Sequence, residues 1–459
     1  MKSLELLPTD KNILATLYRD AFGRNTEIAS FLNILTSIEG HFVISIDGKW
    51  GTGKTFFVKQ CEMILDTIND SSKLTSESKE KILHLSFLNG SPLSKKVKNQ
   101  NCIYFDAWAN DGYENPILAI LNTLVNKASF IDRLSAIDKK DLIDAVVEMG
   151  KNYFSNKLGT SIDPIIKALK QPGKEETKAQ ISLHKYIEKI ISNFTQDDHR
   201  LIIFVDELDR CKPSFAVKLL EQIKHYFLLQ NVTFVFSTNI LELSKTISKF
   251  YGNDFQGDKY LNRFFDLFLT LMPIDIEKYY QYLSSQDSLA IYERNKLKVI
   301  KFLNMSMRDV GKFVTNNELI DYKNIKYDYL GQADEAILLH IEWLVIPFMI
   351  GLTVTKKEDE FNLIEGRNYE LFKKFVIDAD TFWSLLNMGG VHQQLNLLCD
   401  VDESLESDDV DQYKDKIVHT IYTKLFENPV SVTQVHSMSD KFWYDIKRIM
   451  DSVLHSHLK

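Results

Sequence analysis

The chain has 459 residues, 44% of them hydrophobic, which is enough for two or three domains that each bury their own core. Fifty-five basic residues stand against 63 acidic ones, a net charge of −8, and this balance excludes a global electrostatic pull toward nucleic acid or anionic lipid. The four cysteines (Cys61, Cys102, Cys211, Cys399) are scattered with no C-x-x-C pair, which argues against a zinc site or disulfide framework and makes a reducing cytoplasm the expected location.

The opening MKSLELLPTDKN has no charged start followed by a long apolar core, so no secretory signal is expected. Apolar spacing (Ile13, Leu14, Leu17, Tyr18) predicts a helix over residues 11–22, then a Gly23-Arg24-Asn25 turn and a second helix over 26–38. Arg24 opens that second helix, and its position suits either a nucleotide contact or an exposed capping or salt-bridging arginine. An apolar run ending at Ile46 then breaks into glycines. Residues 48–55 read GKWGTGKT, which fits G-x-x-x-x-G-K-[ST] with a strand before it and a helix after it.

Such a loop binds phosphate. Gly48, Gly51 and Gly53 lack a Cβ, so the backbone can turn its N–H groups inward around a polyphosphate, and the helix that follows adds its dipole. Lys54 supplies a point charge to the terminal phosphates, and the Thr55 hydroxyl is placed to ligate Mg²⁺. Lys49, Trp50, Thr52 and Phe56 complete the expected cradle.

After the loop helix, the polar residues 66–81 read as loop or weak helix. Strands are expected at 83–88 and 102–105, with Lys95, Lys96 and Lys98 on a solvated loop between them. Asp106 and Trp108 fall at the end of the second of these, where parallel sheets collect ligands. Residues 115–169 have a helical pattern closed by Pro164 and Pro172-Gly173, and an amphipathic helix over 183–194 follows. The run LIIFV then ends in Asp206 and Glu207. Paired with the loop, Asp206 is expected to hold Mg²⁺ through water, and Glu207 to orient and deprotonate the attacking water. Residues 231–238 form another buried strand. At its end Asn239 serves either as a γ-phosphate sensor or as the cap of the next helix. Arg263 lies among aromatics in YLNRFFDLFLTLMP, suited either to neutralise charge on a phosphoryl group or to pack on aromatic faces.

Beyond Pro273 the pattern is helical. Residues 336–354 are apolar enough for a membrane span, but His340, Glu342 and Pro347 favour a buried helix, so no span is expected. Ser306 is placed to cap a helix whose first turn holds Arg308, a cation opposed to the helix dipole that phosphate or a carboxylate would offset. Residues 400–411 carry seven acids and no base and read as a linker. The last helical stretch, 414–458, has aromatic anchors at Tyr422, Phe426, Phe442, Trp443 and Tyr444.

Four blocks in order, GKWGTGKT, FDAW, VDELDRCKP and YLNRFFD, make the chain resemble the KAP family of P-loop NTPases, and MSMRDV resembles the start of the small helical region that closes the nucleotide site in related ATPases. The resemblance implies an α/β parallel-sheet core of the additional-strand ATPase type over residues 1–273, with a helical insertion at about 112–178. It also implies a helical region over 274–459 that combines a lid with a part that binds partners. It further implies ATP with Mg²⁺ as cofactors, catalytic roles for Lys54, Glu207, Asn239, Arg263 and Arg308, and metal contacts from Thr55 and Asp206. A bacterial, soluble member would hydrolyse ATP to drive conformational change or assembly, with anti-phage defence as the associated role; the alternative is a nucleotide-dependent switch with negligible turnover. Homo-oligomers formed on ATP binding, and a separate effector protein, are the expected partners. Family members often carry membrane helices in the insertion and an Asp where Asn239 stands, and this chain departs from both patterns.

Overall fold

The structure is a computed structural model that describes residues 6–127, 191–192, 194–195, 199–226, 231–252, 254–284, 290–319, 332–355, 362–363, 365–387, 389–402 and 409–457. The expected insertion beyond residue 127, and all but the end of the helix expected over 183–194, lie outside these residues. The chain divides into two compact units, Pro8–Asp275 and a second made of Met1–Leu7 with Ile276–Lys459.

The first unit is built on five strands: β1 (Phe42–Asp47), β2 (Gln100–Asp106), β3 (Arg200–Asp206), β4 (Val232–Thr238) and β5 (Leu267–Thr270). All pair in parallel, in the order β2-β3-β4-β1-β5. β4 therefore separates β1 from β3, the extra strand that the resemblance implies. Every residue of β3 and β4 is buried, as expected of parallel strands covered on both faces. Successive side chains alternate between two cores. Ile203, Val205, Phe234 and Phe236 face one layer of helices, and Ile202, Phe204, Val235, Ile44 and Ile46 face the other. Each such buried side chain contributes about 1.5–3 kcal/mol.

The first core is closed by α6 (Pro116–Asn126), α7 (Pro213–Tyr226), α8 (Ile240–Tyr251) and α9 (Gly257–Phe264), and the second by α1 (Asp10–Tyr18), α2 (Asn25–Thr36) and α3 (Lys54–Ile68). Asn115 caps α6 by accepting from the Ile117 N–H, with Pro116 at the first turn. Register aligns the strand ends: Asp47 lies opposite Thr238 and Thr270, while Asp206 lies opposite Ser237 and Asp106. Three carboxylates thus stand along one edge of the sheet.

Two local expectations need correction. Residues 83–88 are not a strand: α4 (Ser76–Leu83) runs into turns closed by Leu85 N–H to Ile82 O and Leu88 N–H to Leu85 O. The stretch 66–81, expected as loop or weak helix, holds the end of α3, a non-helical connection over 69–75 and the start of α4, which Thr75 caps. Lys95 and Lys96 lie on a short helix, α5 (Pro92–Lys96), rather than on a loop.

The regular elements described in the second unit are all helices, chief among them α10 (Ile276–Ser284), α11 (Ile291–Phe302), α12 (Met307–Leu319), α13 (Gln332–Thr355), α14 (Tyr369–Ile377), α15 (Asp380–Leu386), α16 (Gly389–Cys399), α17 (Val410–Tyr422) and α18 (Met438–His457). α13 is its axis, in contact with α11, α12, α15, α16 and α18. That setting explains why α13 is apolar on all sides. It is the one described helix long and apolar enough to cross a membrane, yet 78% of its most apolar window is buried inside the fold. Tyr422, Phe426, Phe442 and Trp443 are buried anchors, whereas Tyr444 is partly exposed. Ser306 caps α12 as expected, accepting from the Asp309 N–H and donating to the Asp309 carboxylate.

Candidate active site

The glycine loop leaves β1 at Asp47 and enters α3 at Lys54. Gly51 and Gly53 take φ of 78° and 84°, left-handed angles that favour glycine. A Cβ on Gly48 would stand 2.7 Å from the Thr52 hydroxyl oxygen, so any side chain there would displace the Thr52 hydroxyl. α3 begins at Gly53 with no side-chain cap and no acid in its first turn, which leaves its first N–H groups for an outside anion. The loop is tied to the sheet by the Gly48 N–H, which donates to Thr238 O at 3.3 Å.

Lys54 folds back over the loop, its ammonium donating to the carbonyls of Gly48 (2.6 Å) and Lys49 (3.2 Å). Burial lowers its pKa, while Asp209, Asp206, Glu207 and Asp47 oppose that shift. A cation at a helix N-terminus is unfavourable by itself, and these carboxylates offset it.

Asp206, at the end of β3, is 1% exposed. It accepts from the Tyr104 hydroxyl at 2.9 Å and from the Glu207 N–H at 3.0 Å. Burial raises its pKa, and hydrogen bonds from Thr55 and Tyr104 are among those that counter the rise. Glu207 follows in a left-handed conformation, φ 60°, which turns its side chain to the loop: the Thr55 hydroxyl donates to its Oε1 at 3.5 Å. Its other oxygen meets Arg210 Nε at 2.5 Å. Burial first, then Asp206, pushes the Glu207 carboxyl up to about 7 against the pull of Arg210. Fold and sequence therefore bring Lys54, Thr55, Asp206 and Glu207 together, a cation, a hydroxyl and two carboxylates around a glycine loop. Among the described residues no cluster of three His, Cys, Asp or Glu side chains could enclose a metal. One carboxylate and one hydroxyl suit Mg²⁺, which keeps waters and phosphate oxygens as its other ligands.

Several partners have no signature in the sequence. Trp50, half exposed, donates its indole N–H to Asp209 Oδ2 at 2.6 Å, and Thr238 donates to the other oxygen of Asp209 at 3.1 Å. One buried carboxylate thus joins loop, sensor strand and the turn after β3. Trp108 is also half exposed, with the Arg210 guanidinium 5.5 Å from its ring centre. Asp106 accepts from the Ala109 N–H at 2.9 Å and shapes its own turn. Arg24 is buried, not exposed as one of its expected roles required, and it donates to loop and connector carbonyls instead.

Asn239 caps α8, accepting from the Glu242 N–H at 3.4 Å. Asp47 takes the Ile240 N–H at 2.9 Å, so the start of α8 is fixed to the end of β1. Arg263 is exposed in the last turn of α9. Arg308 is exposed in the first turn of α12, in the helical unit.

The sequence pattern of the KAP family P-loop domain matches residues 24–324. That span covers the whole sheet and runs into the helical unit as far as α12. The chain is also similar to the uncharacterized protein MJ0182 of Methanocaldococcus jannaschii, 25% identical over 174 residues, which is 30% of this chain and 90% of that protein.

Proposed function

The chain belongs to the KAP family of P-loop domains, and from that premise we propose that it is a Mg²⁺-dependent ATP hydrolase. The observation that carries the reading is the meeting of Lys54, Thr55, Asp206 and Glu207, with Thr55 within 3.5 Å of Glu207 beside a loop whose Gly51 and Gly53 take left-handed angles. In this reading the N–H groups of residues 48–55 and the start of α3 hold the phosphates, with Trp50 and Phe56 at either side of the cradle. Lys54 gives up its two loop carbonyls for the terminal phosphates. Thr55 and Asp206 would hold Mg²⁺, which would supply positive charge to neutralise the phosphates. Glu207, with a carboxyl near neutral pKa, accepts the proton of the attacking water. Asn239, Arg263 and Arg308 are the polar groups proposed to respond to the γ-phosphate.

One contact favours a second reading. Arg210 holds Glu207 at 2.5 Å, and a base kept in an ion pair is a poor proton acceptor. A chain fixed in that state would bind ATP, assemble and turn over slowly. In either reading the output is a conformational change or homo-oligomer passed to a separate effector protein, with defence against phage as the role suggested by fold analogy. The four cysteines are free and buried, which suits the cytoplasm.

Equilibrium binding tests the site. Lys54→Ala removes a charged hydrogen bond worth about 1.5–3 kcal/mol, so Mg·ATP affinity should fall about ten- to a hundredfold. Unchanged affinity in a folded variant places the nucleotide elsewhere.

A further inference from the structure

Between α1 and α2 the chain makes a turn at residues 22–24 that touches two places at once. Toward the phosphate loop, Arg24 Nη1 donates to Thr52 O at 2.8 Å, and the Phe22 ring meets Phe56 of α3 edge-on, centres 5.2 Å apart. Toward residues 271–275, the connector from which the chain continues into the helical unit, Arg24 Nη2 donates to Met272 O. Glu27 accepts the Met272 N–H at 2.9 Å, and Phe22 O accepts the Asp275 N–H at 2.9 Å. Gly23, φ 66°, lies so close that a Cβ on it would stand 2.7 Å from Asp275 Cβ. Met272 is gripped at both of its backbone groups, its N–H by Glu27 and its C=O by Arg24.

This arrangement is costly. Arg24 is 3% exposed, and burial lowers its pKa to about 10, with Glu27, 3.5 Å away, partly restoring it. A capping arginine would not need burial, and Arg24 makes no side-chain cap to α2. What burial gives is a planar fork with two diverging donors, each on a different segment. Peptide planarity then decides what the loop contact does. The Thr52 carbonyl and the Gly53 N–H belong to one trans peptide and point in opposite directions, so holding that carbonyl against Arg24 turns the Gly53 N–H the other way, into the loop.

We propose that Arg24 is a positioning residue with two tasks: it orients the Gly53 N–H for phosphate, and it couples occupancy of the loop to the connector at residues 271–275. The proposal rests on the reading of the loop as a nucleotide site. When phosphate draws in the Gly53 N–H, the Thr52 carbonyl, Arg24 and the Met272 carbonyl shift as one hydrogen-bonded chain. The segment leading into the helical unit thereby senses whether nucleotide is present.

Amide hydrogen exchange of the full-length protein, with and without Mg²⁺ and a non-hydrolysable ATP analogue, tests this. In the wild type the analogue should slow exchange both in residues 48–56 and in residues 271–275. Arg24→Lys keeps the charge but cannot span both carbonyls. It should lower analogue affinity by about fivefold, the loss of one ordinary hydrogen bond, and at saturating analogue it should keep the loop protected while residues 271–275 lose their response. Glu27→Ala removes the carboxylate that accepts the Met272 N–H, and leaves in place the Arg24 hydrogen bond to Thr52, in which Glu27 takes no part. It should weaken the response of the connector at unchanged affinity, and it serves as the second variant should Arg24→Lys fold poorly. Protection of the loop alone in the wild type, or a full connector response in both variants, overturns the coupling. No protection in either segment of the wild type overturns the nucleotide reading itself, and the coupling with it.

Discussion

Asp209 shows how much of this site is carried by a single side chain outside the motifs' usual roles. Its carboxylate takes the Trp50 indole N–H on one oxygen and the buried Thr238 hydroxyl on the other. The two donors differ in what they lose without it. Trp50 is half exposed and can turn to water, whereas Thr238 is fully buried and cannot. Asp209→Ala should therefore cost about 1–3 kcal/mol of stability through the stranded hydroxyl. Trp50→Phe should cost less than about 1 kcal/mol while weakening nucleotide binding, because only the loop is released. Urea denaturation beside ATP titration separates the two, and equal destabilisation by both variants would contradict the assignment. The same residues mark what the sequence makes legible. Lys54, Thr55, Asp206 and Glu207 can be read from spacing because loop, strand and helix are local patterns. Asp209 and Trp50 are 159 positions apart, and Tyr104 and Asp206 are 102 apart, so their pairing exists only once the sheet has formed. Arg24 stands out in the sequence at the start of a helix, but its burial depends on a connector 248 positions away.

At the scale of elements, periodicity is informative where both faces of a strand are buried and misleading where a helix ends. β3 and β4 are apolar runs with aligned ends, and the strand–loop–helix order around residue 48 is carried by glycines. The apolar run at 83–88 alternates like a strand, yet the residues that reach the core are Ile82, Leu85 and Leu88, three apart, and Leu83 is exposed. Spacing by three here belongs to the end of α4 and the turns beyond it. In the helical unit Gly351 of α13 tests the same kind of packing. An Ala in a helix is ordinarily favoured over Gly by about 1 kcal/mol. Here the added Cβ would stand 2.6 Å from Val299 Cγ1 and 2.8 Å from Leu303 Cδ1, on and just after α11. Overpacking of this kind costs about 1–3 kcal/mol, so Gly351→Ala should lower the thermal midpoint. A higher midpoint would mean that α11 and α13 do not approach so closely.

For the whole molecule, the division at Asp275 separates an α/β unit that carries the loop from a helical unit built around α13. The family pattern crosses that division, ending at residue 324. The sheet and its loop were legible because the motifs are specific. The roles of α14 to α18 were not, because helices recognised only by apolar spacing declare a core and no chemistry. Assembly is where the arginines make a prediction. Arg263 is exposed on α9, so it is free to serve a neighbouring protomer. Lys54→Ala protein lacks the phosphate charge but keeps Arg263, and Arg263→Ala protein has the reverse. If the arginine acts across a subunit boundary, mixing the two inactive proteins should restore ATPase activity. A mixture as inactive as its parts, with the wild type monomeric in a non-hydrolysable analogue, would remove the shared site.

The central claim is that Glu207, held beside Thr55 and Asp206, activates water against a nucleotide bound at residues 48–55. Steady-state phosphate release from Mg²⁺ and ATP by the wild type and by Glu207→Gln, each shown to bind ATP, tests it most directly. General-base catalysis typically contributes about 10²–10⁴-fold, so the variant should bind ATP as well as the wild type and release phosphate at least a hundredfold more slowly. Equal rates in the two proteins would contradict the account and leave the chain a nucleotide-binding switch.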